Sequence, residues 1–151
     1  MPETRLKDFL DKEHVKYVTI AHSPAYTTQE IAELTHTPGK ELAKTVIVKI
    51  DGKLAMVVLP TTEKLRLDHL QQTLGADNVE LAHEEEFKSA FPDCETGAMP
   101  PFGNLYGMDV FVSQALREDD EIAFNAGSHD ELIRLPYAEY ERLVHPTPLL
   151  N

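Results

Sequence analysis

Cysteine and tryptophan are the scarcest residue types in this sequence, which has one cysteine, Cys94, and no tryptophan. A single cysteine cannot form a disulfide within the chain, and it cannot supply a zinc cluster built from several thiolates. The seven histidines show no paired spacing typical of metal ligands. We therefore predict neither a metal site nor a cofactor, and we expect Cys94 to be a small buried hydrophobe rather than a nucleophile.

Long apolar segments are also missing. No stretch approaches the ~20 apolar residues of a membrane helix, and the start, MPETRLKDFL, lacks the apolar stretch of a signal peptide. We therefore expect a cytoplasmic protein with no membrane partner. The 151 residues suffice for one domain, residues 1–151, with a substantial core.

Basic residues are outnumbered, with 14 Lys and Arg against 26 Asp and Glu and a net charge of −12. This balance argues against a protein coated in nucleic acid through broad counterion release, and we predict no DNA partner. The charge is uneven, because residues 1–50 hold seven basic and seven acidic residues while the excess of acid lies in the rest of the chain. An anionic partner could therefore make a local, salt-sensitive contact near Lys40, Lys44 and Lys49.

The clearest local pattern is a hairpin. The segments AKTVIVKI and KLAMVVLP are joined by Asp51-Gly52, a dipeptide typical of tight turns between antiparallel strands. Both segments are apolar at nearly every position, which predicts a sheet covered on both faces.

The remaining pattern predicts a mixed α/β fold. Helices are expected in PETRLKDFLDKEHV, TTQEIAELT, LRLDHLQQTLG, HEEEFKSAF and PYAEYERLV. Further strands are expected in KYVTIAH, MDVFVS, EIAFNAG and ELIRL, whereas CETGAMPPFGNLYG is expected to be a constrained loop and HPTPLLN a loosely held tail. We predict a curled, largely antiparallel mixed sheet, barrel-like, with helices packed outside. A doubly wound parallel sheet fits poorly, because the hairpin forces antiparallel neighbours.

Lys44 is the first candidate functional residue. Side chains alternate along a strand, so its ammonium shares a face with Val46, Val48 and Ile50. One interpretation is a lysine whose stem lies on apolar surface while its head reaches water. The other is an ammonium at the mouth of a pocket, placed to hold an anion such as a phosphate.

Two loops are further candidates. In the loop from Thr96 to Gly103, Pro100 and Pro101 restrict the backbone, so its N–H groups would be fixed in direction and could grip a carbonyl oxygen; a structural turn is an equally good interpretation. In the loop from Asn125 to Asp130, His129 is either a solvated turn residue or a general base. The sequence contains no serine elbow, P-loop or dinucleotide fingerprint.

These features occur in an order that resembles the YbaK family, aminoacyl-tRNA deacylase domains related to the editing insertion of bacterial prolyl-tRNA synthetase. The resemblance rests on AHSPAYTTQEIA, LAKTVIVKIDGKLAMVVLP, LGADNVELA, TGAMPPFG and IAFNAGSHDELIRL, and it covers roughly residues 20–145. Its strongest elements are the lysine before the first hairpin strand, the G-x-x-P loop and the late glycine-containing turn. That turn departs from the glycine-richer, basic turn of the Cys-tRNA members.

The resemblance implies a fold around a curled sheet and a metal-independent hydrolase that cleaves the ester between a wrong amino acid and tRNA. Its implied catalytic residues are Lys44, Gly97 and His129. Its implied substrate-binding residues are Thr45, His22, Ala98, Met99, Pro100, Pro101, Phe102, Gly127 and Ser128. The lysine would pair with the phosphate or ribose end of the tRNA and hold the ester against the proline-fixed loop, where water attacks.

The implied substrate is tRNA charged with a small wrong residue such as Ala, Ser or Cys, on proline tRNA. The implied partner is the acceptor end of aminoacyl-tRNA, with a tRNA synthetase as a second partner that the resemblance allows. Two alternatives stay open: a non-catalytic module that binds the tRNA acceptor end or a synthetase, and an unrelated hydrolase of small esters.

Overall fold

The structure, a computed structural model, describes residues 4–25, 27–92, 94–95 and 98–149. These residues form six α-helices: α1 (Thr4–Lys12), α2 (Thr28–Thr35), α3 (Leu67–Leu74), α4 (Glu84–Phe87), α5 (Gln114–Arg117) and α6 (Tyr137–Val144). Its strands are β1 (Val18–Ala21), β2 (Ala43–Ile50), β3 (Lys53–Pro60), β4 (Val79–Leu81), β5 (Asp109–Ser113), β6 (Glu121–Asn125), β7 (Glu131–Pro136) and β8 (Thr147–Leu149). The predicted mixed α/β class is confirmed. Across the described ranges, no helix is long and apolar enough to cross a membrane.

The predicted hairpin is confirmed as the pair β2 and β3. Its register runs from Ala43 opposite Pro60 to Ile50 opposite Lys53. The turn residues Asp51 and Gly52 both have positive φ, 51° and 84°, as the tight turns that match strand twist require. The Asp51 carboxylate also accepts hydrogen bonds from the backbone N–H groups of residues 77 and 78, so the turn is tied to the chain just before β4.

The strands form two open sheets, and the expected barrel-like closure is not confirmed. One sheet has the order β1-β7-β6 and is antiparallel; the other has the order β4-β2-β3-β5-β8 and is mixed. The sheets meet at an isolated parallel bridge between Leu42 and Ala123. Within the described ranges β6 bridges β2 at this one point and β4 pairs with the other end of β2, so the two sheets do not continue into one another along β2.

Two strands were not predicted. The tail expected to be loosely held forms β8, which pairs in parallel with β5 from Thr147 opposite Phe111. The segment before α4 forms β4, an edge strand of three residues beside β2. The segment expected to lack regular structure also contains one 3-10 helix, Gly103–Tyr106.

The core lies on both faces of β2, as predicted. Ala43 and Ile47 pack in the largest cluster, which also holds Met99 and Phe102. Val48 packs on the opposite face in a second cluster with Leu70 of α3, and Val46 and Ile50 lie against that cluster. A third, smaller cluster joins Leu42 and Ala123 to Ile31 of α2.

Candidate functional site

The site begins at an opening along one edge of β2. On that edge the carbonyl of Glu41 accepts from the N–H of Ala123, and the carbonyl of Ile47 accepts from the N–H of Ala82. Backbone groups alternate between the two edges of a strand, so those of Thr45 point to this same edge, between the two partners. Thr45 therefore presents its N–H and C=O where β6 has ended and the segment after β4 has not yet joined.

Lys44 lies beside this opening with its charge uncompensated. Its side chain is half-buried, and it has neither a hydrogen bond nor an ion pair with any residue in the described part of the chain. It lines a cavity of about 690 Å³ together with Gly39 and Thr61. Lys49, further along the same strand, instead lies 2.6 Å from a Glu86 carboxylate oxygen, and this hydrogen bond raises the pKa of the Lys49 ammonium. Of these two lysines, Lys44 is the one available to an external anion.

Asn125 is a candidate that sequence reasoning did not single out as a site residue. Leu42 and Ala123 form a parallel bridge between the start of β2 and β6. Asn125 follows Ala123 by two residues, just as Lys44 follows Leu42 by two residues. The Asn125 Oδ1 atom is buried and has no hydrogen-bond partner among the residues described. Asn125 thus adds a buried acceptor near the point where β6 leaves β2.

The turn after β6 is held in one conformation by Glu95. The carbonyl of Gly127, a residue with φ of 102°, accepts from the Glu95 N–H at 2.8 Å, and the Glu95 carboxylate accepts from the His129 N–H at 2.6 Å. The carbonyl of Glu95 in turn accepts from the Ala98 N–H at 3.0 Å. The Ser128 hydroxyl donates to the Asp130 carboxylate at 2.8 Å within the same turn. The two loops expected at the site are therefore joined through one residue, Glu95, which no sequence pattern marked.

The proline loop is anchored in the core. Residues Ala98, Met99, Pro100, Pro101 and Phe102 are all buried. The carbonyl of Pro101 accepts from the Tyr140 hydroxyl at 2.8 Å, and the Phe102 ring packs edge-on against the Tyr140 ring. The Ala98 N–H donates to the Glu95 carbonyl, the Phe102 N–H donates to the Pro100 carbonyl, and the two prolines have no N–H, so this stretch is braced by its own backbone. Gly97, the first ligand contact expected in this loop, lies outside the described residues, and the binding roles of the loop stay predictions.

His22 is fixed against the same turn. The backbone N–H of His22 donates to the carbonyl of Asp130 at 2.9 Å, and the backbone N–H of Ala25 donates to the carbonyl of His129 at 3.0 Å. The His22 Nδ1 atom lies 2.8 Å from the carbonyl oxygen of Ser23, which can only accept, so Nδ1 carries the hydrogen. In the neutral ring Nε2 is then an acceptor, and this atom is buried without a hydrogen-bond partner within the described ranges.

The structure does not place Lys44 directly opposite the proline loop. Lys44 shares the face of Val46 and Val48, whereas Met99 and Phe102 pack on the other face of β2. The cavity lined by Lys44 contains none of residues 98–102. A ligand touching both would therefore pass through the opening at Thr45 rather than lie on one side of the sheet.

A smaller cavity of about 160 Å³ adjoins the proline loop. It is lined by Phe87, Phe91, Cys94 and Met99, together with Lys88 and Pro92. Cys94 is half-buried and its Sγ lies 3.4 Å from the Tyr106 hydroxyl, which fits a packing residue. No group of three or more His, Cys, Asp or Glu side chains among the described residues is arranged to hold a metal ion.

Comparisons with known proteins assign the family. The family model of the aminoacyl-tRNA editing domain matches residues 22–143. The chain is 27% identical over 147 residues to the multifunctional Ser/Thr-tRNA deacylase ProXp-y of Escherichia coli (strain K12), covering 94% of this chain and 87% of that protein. It is 24% identical over 110 residues to the proline–tRNA ligase of Macrococcus caseolyticus, covering 72% of this chain and 19% of the ligase.

A solved structure supports the same fold. A candidate trans-editing enzyme for prolyl tRNA synthetase superposes with a TM-score of 0.82 at 18% identity, covering 98% of this chain and 94% of that one. The matched family segment contains Lys44, the proline loop and the turn after β6. The chain belongs to the aminoacyl-tRNA editing domain family.

Proposed function

We propose that this chain hydrolyses, in trans, the ester that joins a wrong amino acid to the terminal adenosine of a tRNA. The observation that carries the proposal is Lys44, a half-buried ammonium without a protein partner at the rim of a large cavity. An anionic substrate supplies the charge that this lysine lacks. The family and the relative named as a Ser/Thr-tRNA deacylase support an aminoacyl-tRNA as that substrate.

The mechanism is one of positioning. Lys44 holds a phosphate or ribose oxygen of the tRNA end, while the backbone N–H of Thr45 and, as the family resemblance implies, that of Gly97 donate to the ester carbonyl. Donors fixed in this way are worth ~2.7–4 kcal/mol each in acyl-transfer enzymes. Water attacks the carbonyl carbon, the bond to the ribose oxygen breaks, and that oxygen takes up a proton to release free amino acid and tRNA.

The substrate itself supplies part of the chemistry. An aminoacyl ester is a reactive electrophile, and the neighbouring ribose hydroxyl can orient or deprotonate the attacking water. In this proposal the acceptor atoms of His22 and Asn125, both buried and without protein donors among the described residues, accept hydrogen bonds from the α-ammonium or ribose hydroxyl groups. His129 is held by Glu95 through its backbone and is the proposed general base of the turn.

The proposed amino acid is small: alanine, serine or cysteine, carried on proline tRNA. The cavity of about 160 Å³ beside the proline loop supports this choice, because Phe87, Phe91 and Met99 leave room for a short side chain. Such a cavity discriminates between side chains that differ by one methylene by only ~1–3 kcal/mol of binding free energy. A second, hydrolytic selection step is therefore useful after synthesis. We further propose that the protein acts in the cytoplasm, and that a prolyl-tRNA synthetase is a partner that hands over the mischarged tRNA.

A panel of mischarged tRNAs tests the proposal. The purified protein is incubated with proline tRNA carrying alanine, serine, cysteine or proline, and the remaining ester is measured over time. The proposal predicts loss of the small wrong esters and survival of the prolyl ester. Protection of every ester without loss would instead identify a non-catalytic tRNA-binding module, and equal cleavage of free amino-acid esters would identify a general small-ester hydrolase.

A further inference from the structure

A second cavity continues the one that Lys44 lines. It has a volume of about 330 Å³ and lies between α3 and the ends of β3 and β8. The two cavities share Glu63 and Lys64, so together they form one groove that leads from Lys44 past Lys64 to Arg66, just before α3, and to His69 on α3. We name this surface the 44–69 groove.

Lys64 and Arg66, two basic residues of the 44–69 groove, are weakly paired within the described chain. In the described chain Lys64 is exposed and has no hydrogen bond or ion pair. Arg66 lies 3.7 Å from Asp68, but both side chains are at least 70% exposed, and pairs of this kind contribute little. The carboxylate of Glu63, the acid shared by both cavities, instead accepts a hydrogen bond from the Ser113 hydroxyl at 2.7 Å.

This clustering contrasts with the charge of the surrounding chain. Residues 51–100 contain four basic residues against ten acidic ones, and two of the four, Lys64 and Arg66, lie on the groove. The segment that carries them, between β3 and α3, is irregular, so both side chains reach outward from backbone that no strand covers. The 44–69 groove sets Lys44, Lys64 and Arg66 against Glu33 and Glu63, a small local excess of positive charge in a chain with a net charge of −12.

We propose that the 44–69 groove binds the sugar-phosphate backbone of the tRNA acceptor stem, the stretch that follows the ester held at Lys44. The inference rests on the proposed function, because it assumes that the ester end of the tRNA is bound at Lys44 and that the acceptor stem extends from there along the groove. Charge complementarity selects this occupant: a polyanion that starts at Lys44 has its next phosphates within reach of Lys64 and Arg66. Phosphate contacts of this kind position the substrate without reading its sequence.

The test uses a double substitution, Lys64→Ala with Arg66→Ala, and a matched control, Lys12→Ala with Lys16→Ala. The control removes the same number of exposed positive charges, from the end of α1 and from just beyond it. These charges lie away from the groove, because α1 packs through Leu6 and Leu10 on the other face of β2. Neither pair belongs to the proposed catalytic residues. Each protein is assayed for binding of uncharged tRNA at several salt concentrations, and for hydrolysis of a mischarged tRNA and of the same amino acid esterified to a CCA trinucleotide.

The groove variant is expected to lose about tenfold or more in affinity for tRNA, and its slope of log affinity against log salt is expected to fall by roughly 1–2. Its kcat/KM should fall in parallel on mischarged tRNA, chiefly through KM, and should stay within about twofold of the parent on the trinucleotide ester, which has no stem. The control should match the parent throughout.

Three results overturn the inference: equal tRNA binding by the groove variant and the control, an equal loss on tRNA and trinucleotide, or no salt-dependent tRNA binding by the parent protein. A small anionic ligand as the true occupant would give the first result. If the parent cleaves neither ester, the proposed function fails while the binding series still decides the groove. If the parent cleaves both esters and the groove variant cleaves both at the parent's kcat/KM, only the groove is wrong.

Discussion

At the scale of single residues, the strongest functional signs are polar atoms that the protein leaves unsatisfied. Lys44 carries a half-buried charge without a counterion, and His22 and Asn125 each bury an acceptor without a donor, all within the described part of the chain. A buried polar group without a partner costs about 1–3 kcal/mol, so such groups persist where a ligand satisfies them. The sequence marked Lys44 by its place in an apolar row, but nothing in it could show which acceptors lack donors.

Asn125 gives a prediction in which stability and activity separate. Replacing Asn125 with alanine removes an acceptor that no described residue satisfies, so we expect the free energy of unfolding to change by less than about 1 kcal/mol. The kcat/KM on a mischarged tRNA should fall by about tenfold, because the substrate loses one hydrogen bond. Urea unfolding and steady-state deacylation measure the two quantities. A large loss of stability with normal turnover would show that Asn125 is a structural residue.

At the scale of elements, the pair Lys49 and Glu86 connects β2 to α4. The hydrogen bond from Lys49 lowers the pKa of the Glu86 carboxyl, and the backbone N–H of His83 adds to the effect. Because the folded pKa lies below the unfolded one, the unfolded chain binds more protons in acid. The stabilisation is therefore present above the unfolded pKa of about 4.3 and is lost as the pH falls through the folded value.

The substitution Glu86→Gln tests this pH dependence. It should lower stability at pH 7 only slightly, since the pair is partly exposed, and it should flatten the decline of stability below about pH 5. Urea midpoints measured from pH 3 to 7 for the parent and variant provide the comparison. Parallel curves would mean that the ion pair contributes nothing to acid sensitivity.

The tail supplies the second element-scale prediction. Since β8 pairs with β5 and Leu149 packs against the cluster under α3, deleting residues 146–151 should destabilise the fold by about 1–3 kcal/mol. Deleting only residues 150 and 151 is the matched control. Chemical denaturation of both truncations against the full chain decides the point, and an unchanged midpoint for the longer deletion would contradict the role of β8.

The elements that could be predicted from the sequence differ from the others in what stabilises them. The hairpin was predictable because Asp51-Gly52 and two apolar strands specify it locally, and α2 begins after Thr27, whose hydroxyl oxygen accepts from the Glu30 N–H. By contrast β4 and β8 are three-residue edge strands, and β8 contains Pro148. Their own residues carry little strand pattern, because the neighbouring strand supplies the pairing.

At the scale of the whole molecule, the site forms where two sheets meet and fail to close. The prediction of a curled, barrel-like sheet captured the largely antiparallel pairing but not this junction, because the position at which β6 leaves β2 depends on contacts far apart in sequence. That departure exposes the edge of β2 at Thr45 and sets Lys44 and the proline loop on opposite faces. The sequence singled out candidate residues such as Lys44 and the proline loop, whose roles stay predictions, but it could not show that they lie on opposite faces of β2.

The net charge of −12 fits this architecture if the tRNA touches only a small cationic area. An acidic surface repels the rest of the polyanion, so the product should leave quickly once the ester is gone. Turnover then depends on one well-placed ammonium more than on overall affinity.

The most direct test of this account is the kcat/KM of Lys44→Ala on tRNA carrying a small wrong amino acid, measured beside Lys53→Ala, in which an exposed lysine of β3 is removed. The account predicts a loss of at least about 100-fold for Lys44→Ala, equivalent to ~2.7 kcal/mol of transition-state stabilisation, with partial recovery in Lys44→Arg and a parent-like Lys53→Ala. All three variants should unfold at the parent's urea midpoint. A folded Lys44→Ala protein that deacylates at the parent's rate would contradict the central claim.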